Sequence, residues 1–106
     1  IDTAIDYIQQ AIETEPLPTR WAWLSNLYLF QEAYDKSLQA MLEVERIDPY
    51  FPFLDLHIAI IYQALNNTQQ AKKHIEIAVQ KAPESIRLFV DNFPASKDYL
   101  DLSDNL

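Results

Sequence analysis

Glycine and cysteine are both absent from the 106 residues. Without glycine there is no phosphate-cradling loop and no dinucleotide fingerprint. Tight β-hairpins also lose the residue that their turns favour. Without cysteine there is no disulfide, no thiolate nucleophile and no thiolate metal ligand, and the redox compartment stays open. Bases are scarce: 8 Lys and Arg stand against 16 Asp and Glu, a formal charge of −8. Such a surface repels phosphate backbones and anionic lipid, which argues against nucleic acid or a membrane as partner. The charge serves solubility, or answers a basic partner. No apolar run approaches the roughly 20 residues of a membrane span, and no signal peptide is visible. The chain opens at Ile1 inside a helical pattern with no methionine, and is read as a segment of a longer protein.

What is present is apolar and periodic. Hydrophobic residues make up 49% of the chain and charged ones 23%, the composition of a globular domain. The apolar positions recur at helical spacing rather than by strand alternation. Ile1, Ala4, Ile5, Ile8, Ala11 and Ile12 form a first stripe, ended by Pro16. Pro18 suits a first helical turn, and the pattern predicts helix from there to about Gln31. Tyr34 or Asp35 opens a third helix, running toward Pro49. Pro52 starts a fourth that ends near Asn66 and Asn67, because asparagine tolerates the left-handed conformation of a helix end. Thr68 is the expected cap of a fifth helix, which stops before Pro83. Ser85 is the expected cap of a short helix from Ile86 to about Phe93, and residues 94–106 form an acidic tail. Connections this short make successive helices antiparallel neighbours.

Shifted by 34 residues, the sequence overlays itself. Leu24, Ser25 and Tyr28 fall on Ile58, Ala59 and Tyr62, and Ser37, Met41, Val44 and Pro49 fall on Ala71, Ile75, Ala78 and Pro83. Trp21 falls on Asp55, the one exception. Ala4, Ile8, Ala11 and Pro16 repeat the spacing of Ala71, Ile75, Ala78 and Pro83. Trp21, Leu24 and Tyr28 share one helix face. Ser25 beside them is small where a second helix crosses.

The stretches "WAWLSNLY" and "EAYDKSLQAMLEVERIDP" resemble the tetratricopeptide repeat, whose pattern is W-x2-L-G-x2-Y, A-x3-F and P at a period of 34. "LHIAIIYQALNNTQQAKKHIEIAVQKAP" follows it more loosely. The family carries glycine at the small position; Ser25 and Ala59 replace it and keep the size low. The resemblance covers Thr3 to Pro83. It implies an all-α fold of antiparallel hairpins stacked as a right-handed solenoid. In that frame residues 1–16 are the second helix of one repeat, 17–50 and 51–84 are whole repeats, and 85–93 is a short terminal helix. An aspartate at position 55 is expected to weaken the edge of its hairpin.

Nothing in the pattern points to catalysis. Glu13 and Glu15, or Glu43 and Glu45, are two apart and lie on different helix faces, so they are solvated surface rather than an acid/base pair. Ser25, Ser37 and Ser85 read as packing or capping residues. His57 and His74 fall on the two helices of one hairpin, but no further ligands at metal spacing accompany them. Neither enzyme activity, nor a metal, nor a cofactor is expected.

The stretch Phe53 to Leu65 carries two apolar stripes: Leu54, Ile58, Ile61, Tyr62 and Leu65 on one side, Phe53, Leu56, Ile60 and Ala64 on the other. Such a helix is buried on both sides or carries a binding surface. In the tetratricopeptide family the first helix of each hairpin lines a concave groove for peptides or partner helices. That resemblance places Ala22, Asn26, Leu29 and Phe30 in a groove, with Thr19 beside them. Phe53, Leu56, Ile60 and Gln63 continue it, with Ala64, and Arg87 joins from the last helix. With so few bases there, apolar anchors rather than a carboxylate clamp are expected to hold the partner. The chain therefore reads as a module for binding another protein or peptide. The alternative is a structural segment of a longer solenoid, packing within its own chain. The apolar terminal helices, Ile1 to Ile12 and Ile86 to Phe93, further predict a tendency to form homo-oligomers.

Overall fold

A computed structural model describes residues 2–92. Among them there are six α-helices and no strand: α1 (Asp2–Thr14), α2 (Pro18–Phe30), α3 (Tyr34–Ile47), α4 (Leu54–Ala64), α5 (Thr68–Lys81) and α6 (Ser85–Asn92). The fold is all-α, as the periodicity predicts. Phe93 and the tail 94–106 lie outside the described residues. No described helix is long and apolar enough to cross a membrane. The chain divides into two compact units between Leu54 and Asp55.

In the first unit, α2 packs extensively along α3 and less so along α1. The α2–α3 crossing is close because both partners are small. Ser25 and Ser37 are 1% and 0% exposed, and each hydroxyl donates to the other's backbone carbonyl at 2.8 Å. Met41 and Val44 are buried on the same side of α3. Against α1 the core holds Ile5, Ile12, Leu24 and Ala40, with Ile8, Trp21, Leu27 and Tyr28 packed around them. Each such aliphatic side chain contributes about 1.5–3 kcal/mol on full burial. The two helices run antiparallel, since Gln31 at the end of α2 donates to Asp2 at the start of α1 at 2.9 Å. Arg20 closes the other end. Its Nη1 donates to the Ala11 and Glu15 carbonyls at 2.6 and 2.8 Å, at the C-terminal end of α1, where the helix dipole favours a cation. Ile5 and Ile12 of the N-terminal stripe thus face inward, and Ile8 is half-buried.

The second unit repeats the design. The turn after α2 has Ala33 N–H donating to the Tyr28 carbonyl (2.9 Å) and Glu32 N–H to Leu29 (3.0 Å). After α4, Asn67 donates to Tyr62 (2.8 Å) and Asn66 to Gln63 (3.0 Å). This is the Schellman ending, with Glu32 and Asn66 left-handed at φ 62° and 60°. Asparagine ends α4 as the sequence reading expects. The cap of α5 is corrected: Asn67, not Thr68, accepts from the Gln70 N–H at 3.2 Å. Helix α6 begins at Ser85, and the Glu84 carbonyl accepts from Leu88 N–H at 3.1 Å. The positions equivalent to Ser25 and Ser37 hold Ala59 and Ala71, both buried. Helix α4 starts at Leu54 and not at Pro52, because Phe53 has φ 61°, incompatible with a right-handed helix. Phe89 of α6 sits edge-on to His57 of α4, ring centroids 5.1 Å apart.

Candidate interaction surface

The residues that the resemblance assigns to a groove fall into two groups. On α2, Asn26 and Phe30 are exposed, Phe30 to 76%, while Ala22 and Leu29 are half-buried. These four share one face of one helix. Phe53 is half-buried in the loop ahead of α4, in the first unit. In the second unit, Gln63 is half-buried with its Oε1 unpaired, and Arg87 is exposed on α6. Leu56 and Ile60, however, are 0% and 8% exposed. They are core residues and not open anchors, which corrects the sequence reading. Helix periodicity shows that α4 has two apolar stripes, and both are buried: Leu54, Ile58 and Ile61 on one, Leu56 and Ile60 on the other.

Asp55, expected to weaken the edge of its hairpin, is 5% exposed and has two polar partners. Its Oδ1 lies 3.0 Å from His74 Nδ1 and its Oδ2 accepts from Lys81 Nζ at 3.0 Å. The Tyr62 ring stacks on His74 with centroids 5.6 Å apart. The cluster ties the first turn of α4 to α5, doing by charge what Trp21 does by apolar contact at the equivalent position of α2. Sequence reasoning missed it. The available signal was His74 and Lys81 at i, i+7 on one helix face, opposite a lone aspartate. His57 is buried enough that desolvation lowers its pKa from 6.5 to about 4, so it is neutral at physiological pH. Among the described residues no group of His, Asp and Glu is arranged to hold a metal ion.

Two clefts lie in the first unit. A cleft of about 530 Å³ opens between α1 and α2, walled by Ala4, Tyr7, Ile8 and Ala11 on one side and Thr19, Arg20, Trp23 and Leu27 on the other. Tyr7 and Trp23 at its mouth are 76% and 64% exposed. Exposed aromatics flanking an apolar cleft are the composition of a binding surface. A second cleft of about 730 Å³ runs between α1, α2 and α3. Its floor is Trp21, Leu24 and Tyr28, but its rim is charged by Glu13, Asp35, Lys36 and Glu43. Lys36 Nζ already lies 5.7 Å from the Tyr28 ring centroid, and Glu43 pairs with Arg46 at 2.8 Å.

No protein-family model matches the chain, and comparison with curated proteins and with solved structures also finds no match.

Proposed function

We propose that this chain is a protein-interaction module built from repeats of the tetratricopeptide type, belonging to an α-solenoid, and that it binds a helix or peptide of a partner protein through apolar anchors. It acts by binding and not by catalysis. The observation that carries this reading is the α1/α2 cleft with Tyr7 and Trp23 exposed at its mouth. The 34-residue period supports the repeat assignment, since it relates the two turns bond for bond as well as the crossing residues. The burial of Leu56 and Ile60 moves the expected binding surface away from α4 and onto α1 and α2.

That same burial favours a second reading, a structural segment whose apolar faces serve packing within a longer solenoid. Affinity capture separates the two. Trp23→Glu alters an exposed side chain and leaves helical content and melting temperature unchanged. The interaction reading expects partners captured by the parent chain to be lost with Trp23→Glu and retained with Arg46→Ala. An identical set of partners for all three chains would overturn it in favour of the structural reading.

A further inference from the structure

The larger cleft of the first unit is apolar below and acidic above. Trp21, Leu24 and Tyr28 of α2 form its floor, with Glu13 of α1 on one bank and Asp35 and Glu43 of α3 on the other. The α1 residues equivalent to the crossing positions of α3 and α5, Ala4, Ile8 and Ala11, wall the other cleft, so a helix packed on them would lie elsewhere. The two ends of the larger cleft differ. At the Tyr28 end the chain supplies its own cation: Lys36 Nζ lies 5.7 Å from the ring centroid, with Asp35 next to it in sequence. The antiparallel run of α1 and α2 puts Glu13 at the Trp21 end. There, among the described residues, no cation lies over the indole ring, and the Glu13 carboxylate has neither an ion pair nor a hydrogen bond. Arg20, beside Trp21 in sequence, is held by the Ala11 and Glu15 carbonyls. Arg46 pairs with Glu43.

We propose that this cleft binds a basic segment of a partner protein through an arginine, its guanidinium stacked over Trp21 and paired with Glu13. It is a second site, and it does not rest on the α1/α2 cleft. Three observations select a cation. The rim is acidic, and its one lysine already lies against Tyr28. The first unit carries nine carboxylates against the three bases Arg20, Lys36 and Arg46, a field that draws a basic ligand in. The contact of Lys36 with Tyr28 shows the same chemistry made within the chain, a cation over an aromatic floor at an acidic rim. The Trp21 end has the ring and the carboxylate and lacks the cation. Arginine suits it better than lysine, because a planar guanidinium stacks on indole and presents a fork to a carboxylate, while its alkyl stem covers apolar floor. A second copy of this chain is disfavoured as occupant by its own formal charge of −8.

The test titrates short synthetic peptides into the whole chain: one arginine flanked by leucines, and the same peptide with lysine or with uncharged citrulline in its place. Nitrogen–proton correlation spectra read the two indole N–H signals, which Trp23→Phe assigns. The expected result is a saturable shift of the Trp21 signal with the arginine peptide, while the Trp23 signal stays in place. Citrulline keeps the shape and loses the charge, so its peptide is expected to bind several-fold more weakly, and added salt weakens the arginine peptide. Glu13→Gln is expected to weaken the arginine peptide about two- to fivefold, the worth of an exposed ion pair, and to leave the citrulline peptide unaffected. The melting temperature is unchanged, since Glu13 is exposed. Equal affinity for arginine and citrulline peptides, or no effect of Glu13→Gln, would overturn the proposal. A shift at Trp23 instead of Trp21 would overturn it too, while placing the peptide in the α1/α2 cleft. A sedimenting dimer that Glu13→Gln disperses would overturn it by making a second copy the occupant. Partner capture insensitive to Trp23→Glu would refute the α1/α2 reading and leave this site standing.

Discussion

Ser25 and Ser37 exchange hydroxyl-to-carbonyl hydrogen bonds of 2.8 Å across the α2–α3 crossing, with their Oγ atoms 3.0 Å apart. The repeat places buried Ala59 and Ala71, with no hydroxyl to pair, at the same positions. Either serine changed to alanine alone removes one bond and strands part of the pair, at a cost of about 1–2 kcal/mol. The double Ser25→Ala, Ser37→Ala variant recreates that alanine pair and is expected to cost less than the sum, with a coupling of roughly 0.5–1 kcal/mol. Urea denaturation of the four proteins measures this. Strict additivity would show that the two hydroxyls act independently of each other.

The turn after α2 holds Glu32 at φ 62°, a conformation that costs a residue with a Cβ roughly 1–2 kcal/mol. Glycine relieves that strain and gives back about 0.5–1 kcal/mol in chain entropy. Glu32→Gly should therefore stabilise the first unit by a few tenths to about 1 kcal/mol. Glu32→Val puts a β-branched side chain in the same position and should destabilise by at least about 1 kcal/mol. A melting series in which valine equals glutamate would mean that the backbone relaxes out of the left-handed region.

In the second unit, the Asp55 carboxylate holds two partners of different worth. Lys81 has a side chain that is 52% exposed, so Lys81→Ala should cost under about 1 kcal/mol. Asp55→Ala leaves the half-buried His74 without its acceptor as well, and should cost about 2–3 kcal/mol. The order of the two, read from denaturant midpoints, is the check. A lysine variant that is the worse of the pair would place the stabilisation in the solvent-facing half of the cluster.

The helices were legible in the sequence because prolines punctuate it and apolar spacing is regular. Pro16, Pro49, Pro52 and Pro83 lie between helices, and Pro18 is the first residue of α2. Helix ends were legible where residue type advertises the conformation, as at Asn66. They were hidden at Glu32, whose left-handed geometry shows only through its equivalence with Asn66 34 residues later. Burial direction was the harder quantity. Periodicity finds both stripes of α4, but a stripe does not say what covers it, and Leu56 and Ile60 proved to be interior. The same gap hid the α1/α2 cleft. Ala4, Ile8 and Ala11 look like their counterparts in α3 and α5, and only the three-dimensional arrangement shows that they wall a cleft in the first unit.

His57 gives the chain a calculable pH dependence. Burial lowers its pKa from 6.5 to about 4, so between those values the unfolded chain binds a proton that the folded chain refuses. Stability therefore rises with pH through this window. The contribution is fully present above pH 6.5 and is lost as the pH falls toward 4. From pH 7 to pH 4.5 the loss attributable to His57 is roughly 2–3 kcal/mol. His57→Leu removes the titrating group while keeping an apolar contact for Phe89, and its stability should fall less over the same interval by that amount. Urea midpoints at the two pH values measure the difference, and ring chemical shifts should show His57 neutral at pH 5. Parallel stability profiles for parent and variant, or a His57 that protonates near pH 6.5, would show that the imidazole is solvated in the folded chain.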